Sequence, residues 1–360
     1  MHIDETMNAR LNLLPRERVP ELWRAMPKAE LHVHIEGTLE PEMTFALAKR
    51  NHVRLALSDV DSLRQACAFT NLQSFLDVYY ASASVLRTEA DFFDLASAYL
   101  ARAAAEEVVR AEIFFDPQTH TARGVPFRVV MRGLERAAAH AEATLDISVG
   151  YIMCFLRHLS EEDAFAALAE AEPFIGGWPR LIGFGLDSSE RDNPPSKFAR
   201  VFARCRALGL HLVAHAGEEG PPAYIWEALD VLEVERVDHG VRCMEDGALV
   251  ERLVRDRTPL TVCPLSNLRL CVVRDLADHN LDAMLAAGIR ASVNSDDPAY
   301  FGGYVNQTFA RVFDAKPSLG AREAYVLARN SLEGSFATAE QKAAWTTTLD
   351  RTVMAFTERF

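Results

Sequence analysis

Short apolar runs alternate with longer amphipathic stretches along most of this chain, and that alternation sets its expected architecture. The apolar runs predict strands over residues 27–35, 111–115, 145–155, 181–186, 210–214, 236–238, 260–263 and 290–293. Between them, residues 126–144, 161–171, 198–208, 223–232, 245–255 and 282–287 carry helical spacing. Pro126 suits a first helical position, where its missing N–H costs nothing. Strand–helix alternation implies a parallel sheet with helical crossovers. Close to eight such units favour a closed (β/α)8 TIM barrel over an open doubly wound sheet.

The stretch after the first strand breaks this rhythm. Residues 38–107 read as a helical insert, with helices opening at Pro41 and running over 72–86 and 92–109. The apolar positions Leu72, Phe75, Leu76, Val78 and Tyr79 read first as ordinary helical packing. An insertion of this length directly after a strand is also a candidate lid. Residues 1–26 form a lead-in with a short helix over 22–26, and residues 323–360 read as closing helices. The whole chain, 1–360, is expected to form one domain.

Composition narrows the setting. A chain of 360 residues with 49% hydrophobic residues can bury a large core, and α/β barrels of this size are often single units. Lys+Arg 38 against Asp+Glu 51 gives a net charge of −13, spread along the chain without a block of one sign. Such a surface is repelled by nucleic-acid phosphates and anionic membranes, so neither is an expected partner. The six cysteines include no Cys-x-x-Cys pair, and several lie in apolar runs, which suits a reducing compartment. Residues 1–10 carry no apolar signal core, and no run of 18 apolar residues occurs. A soluble, cytoplasmic protein is expected.

The polar residues at the strand ends carry the chemistry. His32 and His34 lie two apart on the first strand, so both imidazoles face the same way. Gly37 then allows a turn out of the strand. Two converging imidazoles suit a divalent transition metal, zinc first, although two packed core histidines would show the same spacing. His215-Ala216-Gly217-Glu218, Asp238-His239-Gly240 and Ser295-Asp296-Asp297-Pro298 place further histidines and carboxylates at strand ends. Each alone is more often turn chemistry. Together they fall at the C-terminal face of a barrel, where residues distant in sequence meet and barrel active sites sit.

These segments, with Pro27 to Gly37, Leu156-Arg157-His158, Cys263-Pro264-Leu265-Ser266-Asn267 and Asn294 to Pro298, resemble the adenosine/adenine deaminases of the amidohydrolase superfamily. The resemblance spans the first strand through the last. It implies one zinc per chain, held by His32, His34, His215 and Asp296 with a position left for water. Catalytic zinc lowers the pKa of such a water to roughly 7. It implies Glu218 as the donor of a proton to purine N1. His239 would orient or deprotonate the water, and Asp296 would double as a base. Asp297 would face N7, and backbone near Ser188 would face N3. The substrate would then be a purine base, with water as the second reactant. Asp187 is a conceivable second-metal ligand, but the missing lysine in 181–187 favours one metal.

Within that family the sequence looks most like the adenine-using branch. Glu36 stands where nucleoside-using members carry an aspartate that meets the ribose. Its extra methylene is expected to push the carboxylate about 1.5 Å further into the pocket, crowding a sugar but not a free base. The alternative is that Glu36 only caps or salt-bridges at the barrel mouth, with specificity set by the insert around Phe69 to Tyr80. Adenosine and N6-substituted adenines stay open as substrates, as does a purine-binding relative without turnover. Other signals read as structural. Gly183-Phe184-Gly185 is barrel strand, Arg157-His158 ends a strand, and Glu219 has no role. Residues 116–120 read as a loop at the barrel mouth, with His120 at the surface in preference to a contact with substrate.

Overall fold

The computed structural model describes residues 3–359; residues 1–2 and 360, at the ends of the expected lead-in and closing segments, lie outside them. Eight strands follow one another around a single sheet in sequence order, every pair parallel. They are β1 (Lys28–His34), β2 (Val108–Phe115), β3 (Ser148–Leu156), β4 (Leu181–Asp187), β5 (His211–Ala216), β6 (Arg236–His239), β7 (Pro259–Val262) and β8 (Arg290–Val293). The sheet closes where β1 meets the chain just past β8. His34 N–H donates to the Asp296 carbonyl at 3.0 Å, and Asp296 N–H donates to the His32 carbonyl at 3.0 Å. Asn294 Oδ1 accepts from Leu31 N–H at 2.9 Å. The expected (β/α)8 barrel is the architecture observed.

Period-two alternation sorts the strand residues between two environments. On β1, Ala29, Leu31 and Val33, with Ile35 just past its end, join the large apolar core under the helices, whereas Glu30, His32 and His34 take the other face. On β2 and β3, Ile113, Phe115, Tyr151, Met153 and Phe155 pack outward, while Phe114, Ile152 and Cys154 form a small separate cluster with Val213. Gly185 faces that cluster, where a Cβ would lie 2.6 Å from the Cys154 sulfur. Gly183-Phe184-Gly185 is therefore barrel strand, glycine on the crowded side and phenylalanine on the helix side.

Helix boundaries follow capping chemistry more than apolar spacing. Helices Pro41–Arg50 and Glu161–Ala171 start and end where the pattern places them. The helix expected over 92–109 runs Glu89–Ala105, because Thr88 and Asp91 cap it reciprocally and Val108-Val109 belong to β2. Two short helices, Glu5–Leu13 and Val60–Ala66, have no counterpart in the apolar pattern. The closing segment forms helices Ala321–Gly334 and Ala339–Thr357. Among the described residues, no helix is long and apolar enough to cross a membrane.

The insert helix Leu72–Ala83 packs across the mouth of the barrel. Its Leu72, Phe75, Leu76 and Tyr79 form a second apolar cluster with Leu265, Leu270, Leu276, Tyr300 and Phe301, which follow β7 and β8. The aromatic stripe is thus helical packing, and it also roofs the cavity described next.

Candidate active site

Four imidazoles and several carboxylates meet at the C-terminal ends of the strands. His32 and His34 come from β1, His215 from β5 and His239 from β6, and Asp296 follows β8. All five are buried. The His32 ring lies 4.6 Å from both the His215 and His239 rings, centroid to centroid. His34 Nε2 stands 3.2 Å from His215 Nε2. Asp296 Oδ1 lies 3.5 Å from His32 Nε2 and 3.6 Å from His34 Nε2.

The oxygens around the rings favour a proton on each Nδ1. Thr261 donates its hydroxyl to Asp238 Oδ1 at 2.9 Å, so its oxygen accepts from His32 Nδ1 at 2.9 Å. Asp187 Oδ2 lies 3.6 Å from His34 Nδ1, and Asp238 Oδ2 lies 3.6 Å from His215 Nδ1. Each Nδ1 thus faces an oxygen, at hydrogen-bond distance for His32 and just beyond it for His34 and His215, and a proton on each Nδ1 leaves three Nε2 lone pairs aimed at one point. Burial depresses the pKa of His34 and His215 and keeps both neutral. Three lone pairs beside a carboxylate repel one another unless a cation lies among them. His32 Nε2 is buried without a hydrogen-bond partner among the described residues. The donor set therefore fits a divalent metal with nitrogen and oxygen ligands.

Backbone strain marks the same region. Ser188, His239 and Asp296 are non-glycine residues with φ of 73°, 62° and 64°. That left-handed conformation is uncommon outside glycine and tends to collect where a site dictates side-chain direction. Gly37 has a role different from the expected turn. A Cβ there would sit 1.9 Å from Asp297 Oδ1, so glycine makes room for the Asp297 carboxyl.

Glu218 stands beside the imidazoles. Its Oε2 is 3.5 Å from His239 Nε2, and its Oε1 accepts from Asn267 Nδ2 at 3.1 Å and Ser266 Oγ at 3.4 Å. Burial, then the Asp296 and Glu190 charges, push the Glu218 carboxyl far above its ordinary pKa. Burial and Asp296 do the same to Asp297. Both shifts favour the protonated form. Burial holds His239 neutral, its pKa lowered to about 3.

His34, His215, His239, Glu218, Asp296, Asp297 and Ser188 all line one cavity under Leu72, Phe75, Leu76 and Tyr79. His32 lies just behind it. Glu36 does not line it. Its Oε1 instead accepts from His120 Nε2 at 2.7 Å and from Asp116 N–H at 3.2 Å. The carboxylate that does line the cavity on that side is Asp116, with Asp187 beside it. His120 is correspondingly fully buried, on a short helix Pro117–Thr121 rather than a surface loop. Sequence reasoning gave Asp116 no role and put His120 at the surface; the signal was a second Asp-Pro directly after a strand, as at Asp297-Pro298.

With this geometry established, similarity to known proteins is informative. The family model for adenosine deaminase matches residues 27–352. The chain belongs to the adenosine deaminase family. It is 63% identical over 341 residues to an adenine deaminase of Trichlorobacter lovleyi, covering 95% of this chain and 97% of that one. It is 62% identical over 337 residues to one of Geotalea uraniireducens, covering 94% of each. The crystal structure of an Arthrobacter aurescens adenine deaminase superposes with a TM-score of 0.88 at 50% identity, covering 91% of this chain and 99% of that one. An amidohydrolase from Burkholderia ambifaria, 24% identical, shares the fold at a TM-score of 0.87 and was solved with zinc bound.

Proposed function

We infer that this protein hydrolytically deaminates adenine, giving hypoxanthine and ammonia. The observation that carries the reading is the convergence of His32, His34, His215 and Asp296 beside Glu218, a buried carboxyl whose pKa burial pushes up, under an apolar roof. High identity to adenine deaminases over nearly the whole chain supports the choice of substrate.

His32, His34, His215 and Asp296 would hold one zinc ion. When bound, such an ion supplies a water acidic enough to attack at neutral pH. The protein's own groups do the rest. Glu218 gives its proton to N1, so the ring can take up the electron pair as water oxygen bonds to C6. Neutral His239, 3.8 Å from Asp296 Oδ2, orients that water and accepts its proton together with Asp296. Protonated Asp297 donates to N7, and backbone near Ser188 faces N3. The proton taken from water then passes to the amine as the C6–N bond breaks, so ammonia leaves; the C6 hydroxyl returns a proton to Glu218, and a 6-oxopurine remains. The roof of Leu72, Phe75 and Leu76 excludes bulk water and stacks on the flat base. The six cysteines are free, four of them buried, which suits the reducing cytoplasm we propose as its setting.

The test combines metal analysis with kinetics. Purified protein should hold about one zinc per chain, lose activity to a strong chelator and regain it with Zn²⁺. It should turn over adenine with a kcat/KM far above that for adenosine and for N6-alkyladenines. Full activity in metal-free protein, or adenosine used as well as adenine, would overturn the reading.

A further inference from the structure

We propose that Glu190 is a positioning residue for the reaction, a buried carboxylate that sets the backbone of residues 217–220 and so aims the acid Glu218. It rests on the reading of Glu218 as proton donor. Glu190 lies in the turn after β4 and is 2% exposed. Its Oε1 accepts from Gly217 N–H at 2.8 Å. Its Oε2 accepts from Glu218 N–H at 2.9 Å, Glu219 N–H at 2.8 Å and Gly220 N–H at 2.6 Å. Four successive amides thus converge on one carboxylate, an anion nest filled by the protein's own side chain.

The loop needs such a clamp. It leaves β5 directly after His215 and Ala216 and is bounded by Gly217 and Gly220, residues that by themselves restrict the backbone little. Gly217 has φ +74°, and a Cβ there would meet Ile225 at 2.4 Å. Yet the acid carried by this loop must keep one oxygen on Asn267 and the other 3.5 Å from His239. A misplacement of about 1 Å at a reacting group can cost about 100-fold in rate.

Simple neutralisation of Arg157 does not account for Glu190. The two are 3.8 Å apart, well beyond the 2.6–2.9 Å of the amide contacts. Arg157 spends its own short bonds on carbonyls, His215 at 2.6 Å and Asn193 at 2.7 and 2.9 Å. The pair acts as a clasp. Arg157 holds the backbone of His215 by its carbonyl, and Glu190 holds residues 217–220 by their amides. A mechanism confined to groups that touch the substrate leaves this clasp out.

The experiment is a double-mutant cycle in the zinc-loaded enzyme with Glu190→Gln and Glu218→Gln. A glutamine keeps the shape but turns an NH2 toward amides that need an acceptor. Glu190→Gln alone should lower kcat about 10- to 100-fold with KM for adenine changed less than about twofold and zinc content unchanged. In the Glu218→Gln background it should add nothing, because the group it positions is already disabled. Equal losses in both backgrounds, or a wild-type kcat in the single variant, would overturn the proposal. Near-normal turnover in Glu218→Gln itself would instead overturn the acid assignment beneath it. If Glu190→Gln does not fold, Glu190→Asp enters the same cycle, and amide exchange of residues 217–220 in the native holoenzyme gives a second readout. Exchange as slow as that of β5 supports the clamp, and exchange at loop rates refutes it.

Discussion

At the scale of single residues, the site depends on where protons sit. Glu218→Gln keeps the shape and the Asn267 contact but removes the donated proton. A general acid is worth about 10²- to 10⁴-fold in rate. The variant should lose that much kcat while retaining zinc and adenine binding, checked by steady-state kinetics and metal analysis. Glu36 poses a different question. Its carboxylate bonds His120, which takes a further bond from Arg123 at 2.7 Å, and it reaches the cavity only through Asp116 N–H. Glu36→Asp shortens the side chain and breaks the His120 bond, releasing Asp116. If this corner selects the free base, the adenosine-to-adenine ratio of kcat/KM should rise. An unchanged ratio with a lower Tm would mark Glu36 as purely structural and leave selection to the roof. The sequence shows Glu36 beside the ligands. It does not show that His120, 84 residues away, turns the carboxylate aside. Long-range side-chain pairing of this kind has no local signature.

At the scale of elements, the roof helix Leu72–Ala83 joins the insert to the barrel mouth. Phe75 is 4% exposed, with its ring 4.8 Å from Phe301, 5.2 Å from Tyr79 and 5.6 Å from Tyr300. Phe75→Ala should raise the adenine KM several-fold and lower stability by about 3–5 kcal/mol, the usual cost of emptying a buried aromatic site. Unaltered KM would show that the roof plays no part in binding. The strands were legible because apolar alternation is imposed by the two-sided environment of each β-strand, and the proposed ligands because they end those strands. The helices Glu5–Leu13 and Val60–Ala66 were not, since each buries only one or two residues and so shows no apolar stripe. Their legible signals were caps, Asp4 before the first and the Asp59–Ser62 box before the second. Glu190 escaped for another reason. Its function lies in backbone amides, which every residue supplies and no motif records.

At the scale of the whole molecule, stability should depend on pH through imidazoles that the fold keeps neutral. His279 isolates the effect because it stands apart from the metal-ligand cluster. It is 2% exposed, its Nδ1 accepts from Leu281 N–H at 3.1 Å, and its Nε2 donates to Asn267 Oδ1 at 3.1 Å. That bond turns the Asn267 amide so that its NH2 faces Glu218, linking residues after β7 to the acid after β5. Burial, and then the Lys316 charge, lower the His279 pKa to about 4. The unfolded chain takes up a proton near 6.5, the folded one only near 4, so between those values the unfolded state binds more protons. Stability from this group is therefore complete above about pH 6.5 and is lost as pH falls through about 4, a change on the order of 3 kcal/mol. His279→Gln removes the titration. Urea midpoints for wild type and variant, both zinc-loaded, should lie further apart near pH 7 than near pH 4.5. The other buried histidines titrate alike in both proteins, so the difference reports His279 alone. A gap that stays constant over that range would mean the imidazole is already charged in the fold. In that case Nδ1 would hold a proton and could not accept from Leu281 N–H, whereas Nε2 would still donate to Asn267 and keep its NH2 turned toward Glu218.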